Sequence, residues 1–204
     1  MEPIKIAIIL GSTRPGRNGG AVAQWVYALA AKRSDAHFEL VDLLDINLPL
    51  LDEPGSPMKG KYTKDHTKAW SAKVSAFDAY VFVTPEYNHS TSGALKNAID
   101  FLNREWANKA AGFVSYGSSN GVRAVEHLRL ILAELQVATV RAQVGLSLFT
   151  DFTAQTFTPA SMHELEVHAM LDQLIVWGTA LKSMRSASGL APDITPAEIL
   201  ASRT

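Results

Sequence analysis

Residues 11–20 read GSTRPGRNGG, four glycines with Ser12, Thr13, Asn18 and two arginines, Arg14 and Arg17. Small, hydroxyl-bearing and guanidinium residues at this density suit the binding of an anion. Glycines let backbone N–H groups approach it, hydroxyls donate to it, and arginine adds charge in a bidentate fork. The loop is not G-x-x-x-x-G-K-[ST], so no lysine is set to reach a β- or γ-phosphate, and its glycines do not fit the dinucleotide pattern G-x-G-x-x-G. A wide loop of this kind suits a terminal phosphate monoester, with three oxygens to satisfy. A plain surface loop with solvated arginines would be a costly connection to build directly behind a buried strand. Two more polar, glycine-bearing stretches stand out: PEYNHSTSG at 85–93 and GSSNG at 117–121.

Each of the three stretches follows a strand pattern. Residues 4–10 (IKIAIIL), 79–84 (AYVFVT) and 109–116 (KAAGFVSY) are nearly continuous apolar runs, the pattern of strands covered on both faces. Residues 38–43 and 139–146 add two more strands. Helical spacing of apolar residues predicts helices from Val22 to about Lys32, over 63–77, over 94–102, through Val125, Leu128, Leu132 and Leu135, and over 163–184. Five strands alternating with five helices argue for an α/β fold with a parallel sheet. In such sheets ligands bind beyond the carboxyl ends of the strands, and here strands one, three and four end in the polar loops. Asp42 stands where a dinucleotide fold keeps its ribose-binding acid. Residues 44–61, with three prolines, and 149–159 are expected to be irregular, and 1–185 to form one domain followed by a tail at 186–204.

With 204 residues and 47% hydrophobic content, one core is enough. A net charge of −1, from 19 basic and 20 acidic residues, provides no footprint for nucleic acid or an anionic membrane. The absence of cysteine removes disulfides, thiol nucleophiles and thiolate metal sites. No signal-peptide pattern opens the chain and no apolar run approaches ~18–20 residues, so the expected location is cytoplasmic. His163 and His168 are off the i, i+4 register of a helical metal pair, so they are read as solvated or partner-facing, and no metal site is expected. His66 and His127 are read as surface residues. Glu86 has an alternative reading as a cap on the helix that follows, and Tyr87 and Tyr116 as core-edge aromatics.

At its three loops the sequence resembles the NADPH-dependent FMN reductase family, which includes azoreductases, quinone reductases and chromate reductases. GSTRPGRNGG is similar to the family's GS-x-R phosphate loop, PEYNHSTSGALKNAIDF to its P-E-Y-N…LKNAID signature, and SYGSSNG to its third flavin-contacting loop. The resemblance implies a flavodoxin-like three-layer α/β/α sandwich with a five-stranded parallel sheet in order 2-1-3-4-5. It implies that Ser12, Arg14, Arg17, Asn18, Gly19 and Gly20 hold the FMN phosphate. Pro85, Glu86, Tyr87 and Asn88 would wrap the isoalloxazine edge, with His89 and Ser90 just beyond, while Tyr116, Gly117 and Ser118 approach the pyrimidine side. Valine at Gly117 is therefore expected to block the flavin and leave the fold intact. Thr91 and Ser92 replace a proline frequent in the family.

The implied activity is hydride transfer from NADPH or NADH through FMN to a small-molecule acceptor, in two half-reactions, by a homodimer or tetramer. The cofactor carries that chemistry, and no side chain is assigned a catalytic role. Three other readings stand beside it: a flavodoxin-type electron carrier, a flavin-based redox sensor, and a dinucleotide enzyme resting on Asp42.

Overall fold

Of the seven residues Ile4–Leu10 only Lys5 is exposed, and this strand, β1, lies inside the sheet rather than at its edge. A computed structural model describes residues 2–154 and 156–188. Along the chain follow α1 (Gly19–Ala30), β2 (Ala36–Asp42), α2 (Leu43–Ile46), α3 (Asp65–Ser75), β3 (Ala79–Pro85), α4 (Gly93–Asp100), β4 (Ala110–Gly117), α5 (Val122–Glu134), β5 (Ala138–Ser147), the short strands β6 (Phe152–Thr153) and β7 (Thr156–Phe157), and α6 (Met162–Ser188). Strands β1 to β5 form one parallel sheet in the order β2-β1-β3-β4-β5, the flavodoxin-like arrangement that the resemblance implied.

Alternate residues of β1 explain the layers. Ile4, Ile6, Ile8 and Leu10 join Val22 and Val26 of α1 and Leu171 and Leu174 of α6 in one core. Ala7 and Ile9 join Trp70 of α3, Ile99 of α4 and Leu128 of α5 in the other. Both cores being apolar, the central strands β3 and β4 are buried at every position. Because β1, β3 and β4 are neighbours, their carboxyl ends meet: Leu10 pairs with Val83, and Pro85 with Tyr116.

Four boundaries differ from the sequence reading. β2 starts two residues earlier, at Ala36. The stretch 44–61 holds most of α2 and a 3-10 turn at Pro57–Lys59. Residues 149–159 contain the antiparallel β6–β7 hairpin. α6 continues past Met184 to Ser188, so the helix crosses the expected domain end at 185; residues 189–204 of the expected tail lie outside the described residues.

Candidate functional site

The loop after β1 is built around a helix start that its own side chains leave open. Asn18 is the N-cap of α1 but makes no side-chain cap bond, and no acid lies in the first turn. The first helical bond at this end runs from Val22 N–H to the Asn18 carbonyl, so the amides of Gly19, Gly20 and Ala21 are donors with no helical acceptor. An anion satisfies them and the helix dipole together. Around this start Ser12 is fully buried and Arg14 exposed. A Cβ on Gly19 would lie 2.5 Å from Ser12 Oγ and 2.6 Å from the Tyr116 hydroxyl, whereas one on Gly20 would meet nothing within 4 Å. Gly19 therefore lets the loop close onto its floor, and Gly20 leaves room above it. This donor set fits a phosphate.

Arg17 is placed otherwise. Its guanidinium makes a two-pronged pair with the Asp42 carboxylate, one contact at 2.8 Å, and also donates to the Ser12 carbonyl. Asp42 accepts from Leu44 N–H as well, at 2.9 Å, capping α2. The acid that could have marked a dinucleotide ribose site is thus occupied in bracing the loop. Tyr116 lies under the loop, 5% exposed, donating from its hydroxyl to Ser12 Oγ at 3.2 Å. Burial pushes its phenol up to about 12, so it stays a donor at neutral pH.

The β3 loop turns back on itself in two residues. Tyr87 N–H donates to the Ser90 carbonyl at 2.9 Å and Ser90 N–H to the Tyr87 carbonyl at 3.2 Å, with Asn88 and His89 both left-handed (φ 48° and 73°). Positive φ at both central positions is the geometry of a tight type I′ turn, and a non-glycine residue held there costs of order 1–3 kcal/mol. Neighbouring contacts hold it. Thr84 and Thr91 hydroxyls lie 2.9 Å apart, and Ser92 caps α4 through Leu95 N–H while donating to the Gly11 carbonyl, which ties this loop to the first. Ser90 Oγ lies 2.9 Å from His127 Nδ1 on α5. Of Thr91 and Ser92, which stand in place of a proline, Thr91 thus fastens the loop to the end of β3 and Ser92 joins it to the first loop.

Glu86 neither caps α4 nor stands free. Its side chain, 4% exposed, pairs with Arg123 and accepts from the Arg123 N–H at 3.2 Å, so it caps the next helix, α5, from across the sheet. In the β4 loop Asn120 N–H goes to the Gly117 carbonyl and Val122 N–H to that of Ser119, leaving the donors of the exposed Ser118–Ser119 turn for a ligand. Gly121, at φ 70°, closes this turn: a Cβ there would lie 2.6 Å from Ser115 Cβ and 2.8 Å from Tyr116 N. At Gly117 a Cβ would meet Glu86 Cβ at 3.1 Å and the Gly121 amide nitrogen at 3.2 Å, so valine there would strain the protein's own loops.

The three loops therefore converge as the sequence suggested, with Ser12, Arg14, Asn18, Gly19, Gly20, Pro85, Tyr87, Asn88, Gly117 and Ser118 around one end of the sheet. Arg17, Glu86 and Tyr116 sit there too, but as braces. The sequence reading missed Arg123, in the first turn of α5, and read His127, in the second turn, as a surface residue, whereas it is half-buried against Ser90; no motif marks either.

A family model described as NADPH-dependent FMN reductase matches residues 4–151. An NAD(P)H-dependent FMN reductase of a Nectria species is 39% identical over 158 residues, 72% of this chain and 78% of that one. One of Schizosaccharomyces pombe is 38% identical over 153 residues, 74% and 76% of the two chains. A quinone reductase of Escherichia coli is 34% identical over 140 residues, covering 66% and 72%. Among solved structures, the flavoenzyme NAD(P)H:(acceptor) oxidoreductase of Paracoccus denitrificans shares the fold, with a TM-score of 0.69 at 20% identity over 87% of this chain and 98% of that one.

Proposed function

This chain belongs to the NADPH-dependent FMN reductase family, and on that premise we propose that FMN lies with its phosphate at the start of α1 and its ring along the β3 and β4 loops. The protein is an FMN-dependent NAD(P)H oxidoreductase. The observation that carries the placement is the α1 start, without a cap side chain or a first-turn acid, beside the two loops that end β3 and β4.

When bound, FMN supplies reversible storage of a hydride. The chain's residues do the rest. The amides of Gly19, Gly20 and Ala21, the Ser12 hydroxyl and Arg14 bind the phosphate, while Arg17, fastened to Asp42, keeps the loop in shape. The Tyr87–Ser90 turn, closed by its two backbone bonds, would hold the ring's edge. The Ser118 and Ser119 amides would face the pyrimidine side and stabilise negative charge there. With one ring face left free, donor and acceptor would use it in turn, a two-step mechanism.

The acceptor is a planar, conjugated oxidant: a quinone, a flavin, an azo compound or a similar small molecule. An azoreductase of Staphylococcus haemolyticus and the E. coli quinone reductase are relatives, and an open face selects by shape. Net charge near zero disfavours a carrier that docks by charge. The reading includes a homodimer or tetramer, supported by Met162, Leu165, Val176 and Trp177 exposed along α6. It also includes a cytoplasmic location; among the described residues no helix is long and apolar enough to cross a membrane.

The test is an absorbance spectrum from 300 to 550 nm, repeated anaerobically after NADPH and then NADH. Flavin bands that bleach within seconds and return with a quinone are expected. Bands that persist would favour the sensor or carrier, and a protein that neither contains nor binds FMN would defeat the placement.

A further inference from the structure

We propose that His89 donates the proton that a quinone acceptor needs, and that His127 positions it; this rests on the flavin-oxidoreductase reading above. Reduction of a quinone takes a hydride and one proton. The hydride, delivered from the reduced cofactor, leaves a hydroquinone monoanion. The second proton has to come from an acid beside the ring.

The titratable groups at this end of the sheet leave few candidates. The Glu86 carboxylate is buried and paired with Arg123, and that of Asp42 is paired with Arg17. The Tyr116 phenol is buried under the phosphate loop, on Ser12. The chain has no cysteine. The half-exposed Tyr87 phenol and two imidazoles remain, and an imidazolium is in general the stronger acid. His89 is exposed at the tip of the left-handed turn, and the ring of His127 approaches it from α5, centroid to centroid 6.0 Å. His127 is held in turn by Ser90, next to His89 in the chain, through Nδ1 at 2.9 Å. Both bonds of the Tyr87–Ser90 turn, the Thr84–Thr91 contact and the Ser90–His127 contact fasten a left-handed backbone conformation that is uncommon outside glycine. A turn so fastened fixes the direction in which the His89 side chain leaves the backbone, and His127 borders its ring.

In the step itself the His89 imidazolium N–H bond breaks as an O–H bond forms on the hydroquinone oxyanion, and the neutral ring regains a proton from solvent. His127 touches no substrate; it sets the turn. The other ionisable groups around the pair are Tyr87 in the turn, and on α5 Arg123, neutralised by Glu86, and the exposed Glu126.

The experiment compares two oxidants of the NADPH-reduced, FMN-loaded protein under anaerobic conditions. 1,4-Benzoquinone needs the proton, and ferricyanide takes electrons alone. In His89→Ala the ratio of the benzoquinone rate to the ferricyanide rate should fall tenfold or more and recover with added imidazole. With rising pH the wild-type ratio should decline, while that of His89→Ala should not. A ratio equal to wild type, with both rates lowered alike, would overturn the proposal, as would a lowered ratio that imidazole does not restore. Failure of the wild type to hold FMN, or to bleach with NADPH, would sink the flavin reading and this inference with it. In the flavin-free protein, Ser90→Ala should shift the His127 Nδ1 resonance in an imidazole nitrogen spectrum and, once loaded, lower the same rate ratio severalfold. An unmoved resonance would remove His127 from the positioning role.

Discussion

Arg14 and Arg17 stand three residues apart in one loop, and the sequence offers no way to rank them. In the folded protein Arg17 is spent on Asp42, both side chains at least four-fifths buried, with 15% and 20% exposed, while Arg14, in the same loop, is exposed. The two should therefore fail differently. Arg14→Ala should weaken FMN binding by about 1–3 kcal/mol through loss of a charge-assisted contact and leave Tm unchanged. Arg17→Ala unfastens the loop from β2 and costs about 1–2 kcal/mol of stability, allowing for the pair's residual exposure. Its Tm should drop by about 2–8 °C in a chain of this size. Thermal melts of the flavin-free variants and an FMN titration separate the two, and equal Tm values for both variants would contradict the assignment.

The β6–β7 hairpin and α6 are joined by one imidazole. His163, read from its spacing as solvated or partner-facing, is 9% exposed, with Nε2 3.1 Å from Asp151 and Nδ1 2.7 Å from Glu166. It serves both carboxylates only when both nitrogens carry protons. Burial opposes charge on Asp151, but the Ala160 and Ser147 amides, with His163 beside them, hold its carboxyl below the usual range. Phe152 of the hairpin then packs on Tyr116, the floor of the phosphate loop, and Phe157 packs edge-on against Trp25 of α1. His163→Ala should cost about 1–3 kcal/mol and open the hairpin to proteases. The check is limited proteolysis with mapping of the cuts. Cleavage between 148 and 160 should appear in the variant, and a wild-type pattern would show that the hairpin stands without its clasp.

At the scale of the molecule the sheet has two chemically different ends. Opposite the loops, Lys109 precedes β4 with only 6% of its surface exposed, its Nζ donating to the Val74 carbonyl at 3.1 Å and the Tyr80 hydroxyl at 3.0 Å. Burial, helped by Arg185 and opposed by Asp78 and Glu105, pulls its ammonium down to about 7. Above that pH the folded protein holds fewer protons than the unfolded chain, whose lysine stays charged to its ordinary value of 10.5. Stability from this group therefore rises with pH from about 7 upward and is lost as the pH falls toward 7. Lys109→Met should flatten the climb of Tm between pH 7 and pH 9 in calorimetry. Parallel curves for the two proteins would show that Lys109 titrates normally.

Strand and helix patterning alone determined the layers, since Ile4–Leu10 and Ala79–Pro85 carry no polar alternation and only a sheet covered on both faces buries them fully. The polar, glycine-bearing loops after those strands and after Tyr116 pointed to one end of the sheet for the same local reason: backbone freedom and donors are written in residue type. What each charged group does there was not legible. Asp42 lies 25 residues from Arg17, Arg123 lies 37 from Glu86 and His127 lies 37 from Ser90, and each of these contacts depends on which strands become neighbours. Tertiary packing decided which arginine is left for a ligand, which carboxylate is spent as a cap, and which histidine supports the turn. A side chain's partner in a fold of this kind comes from the adjacent strand or helix, and periodicity along one segment carries no information about it.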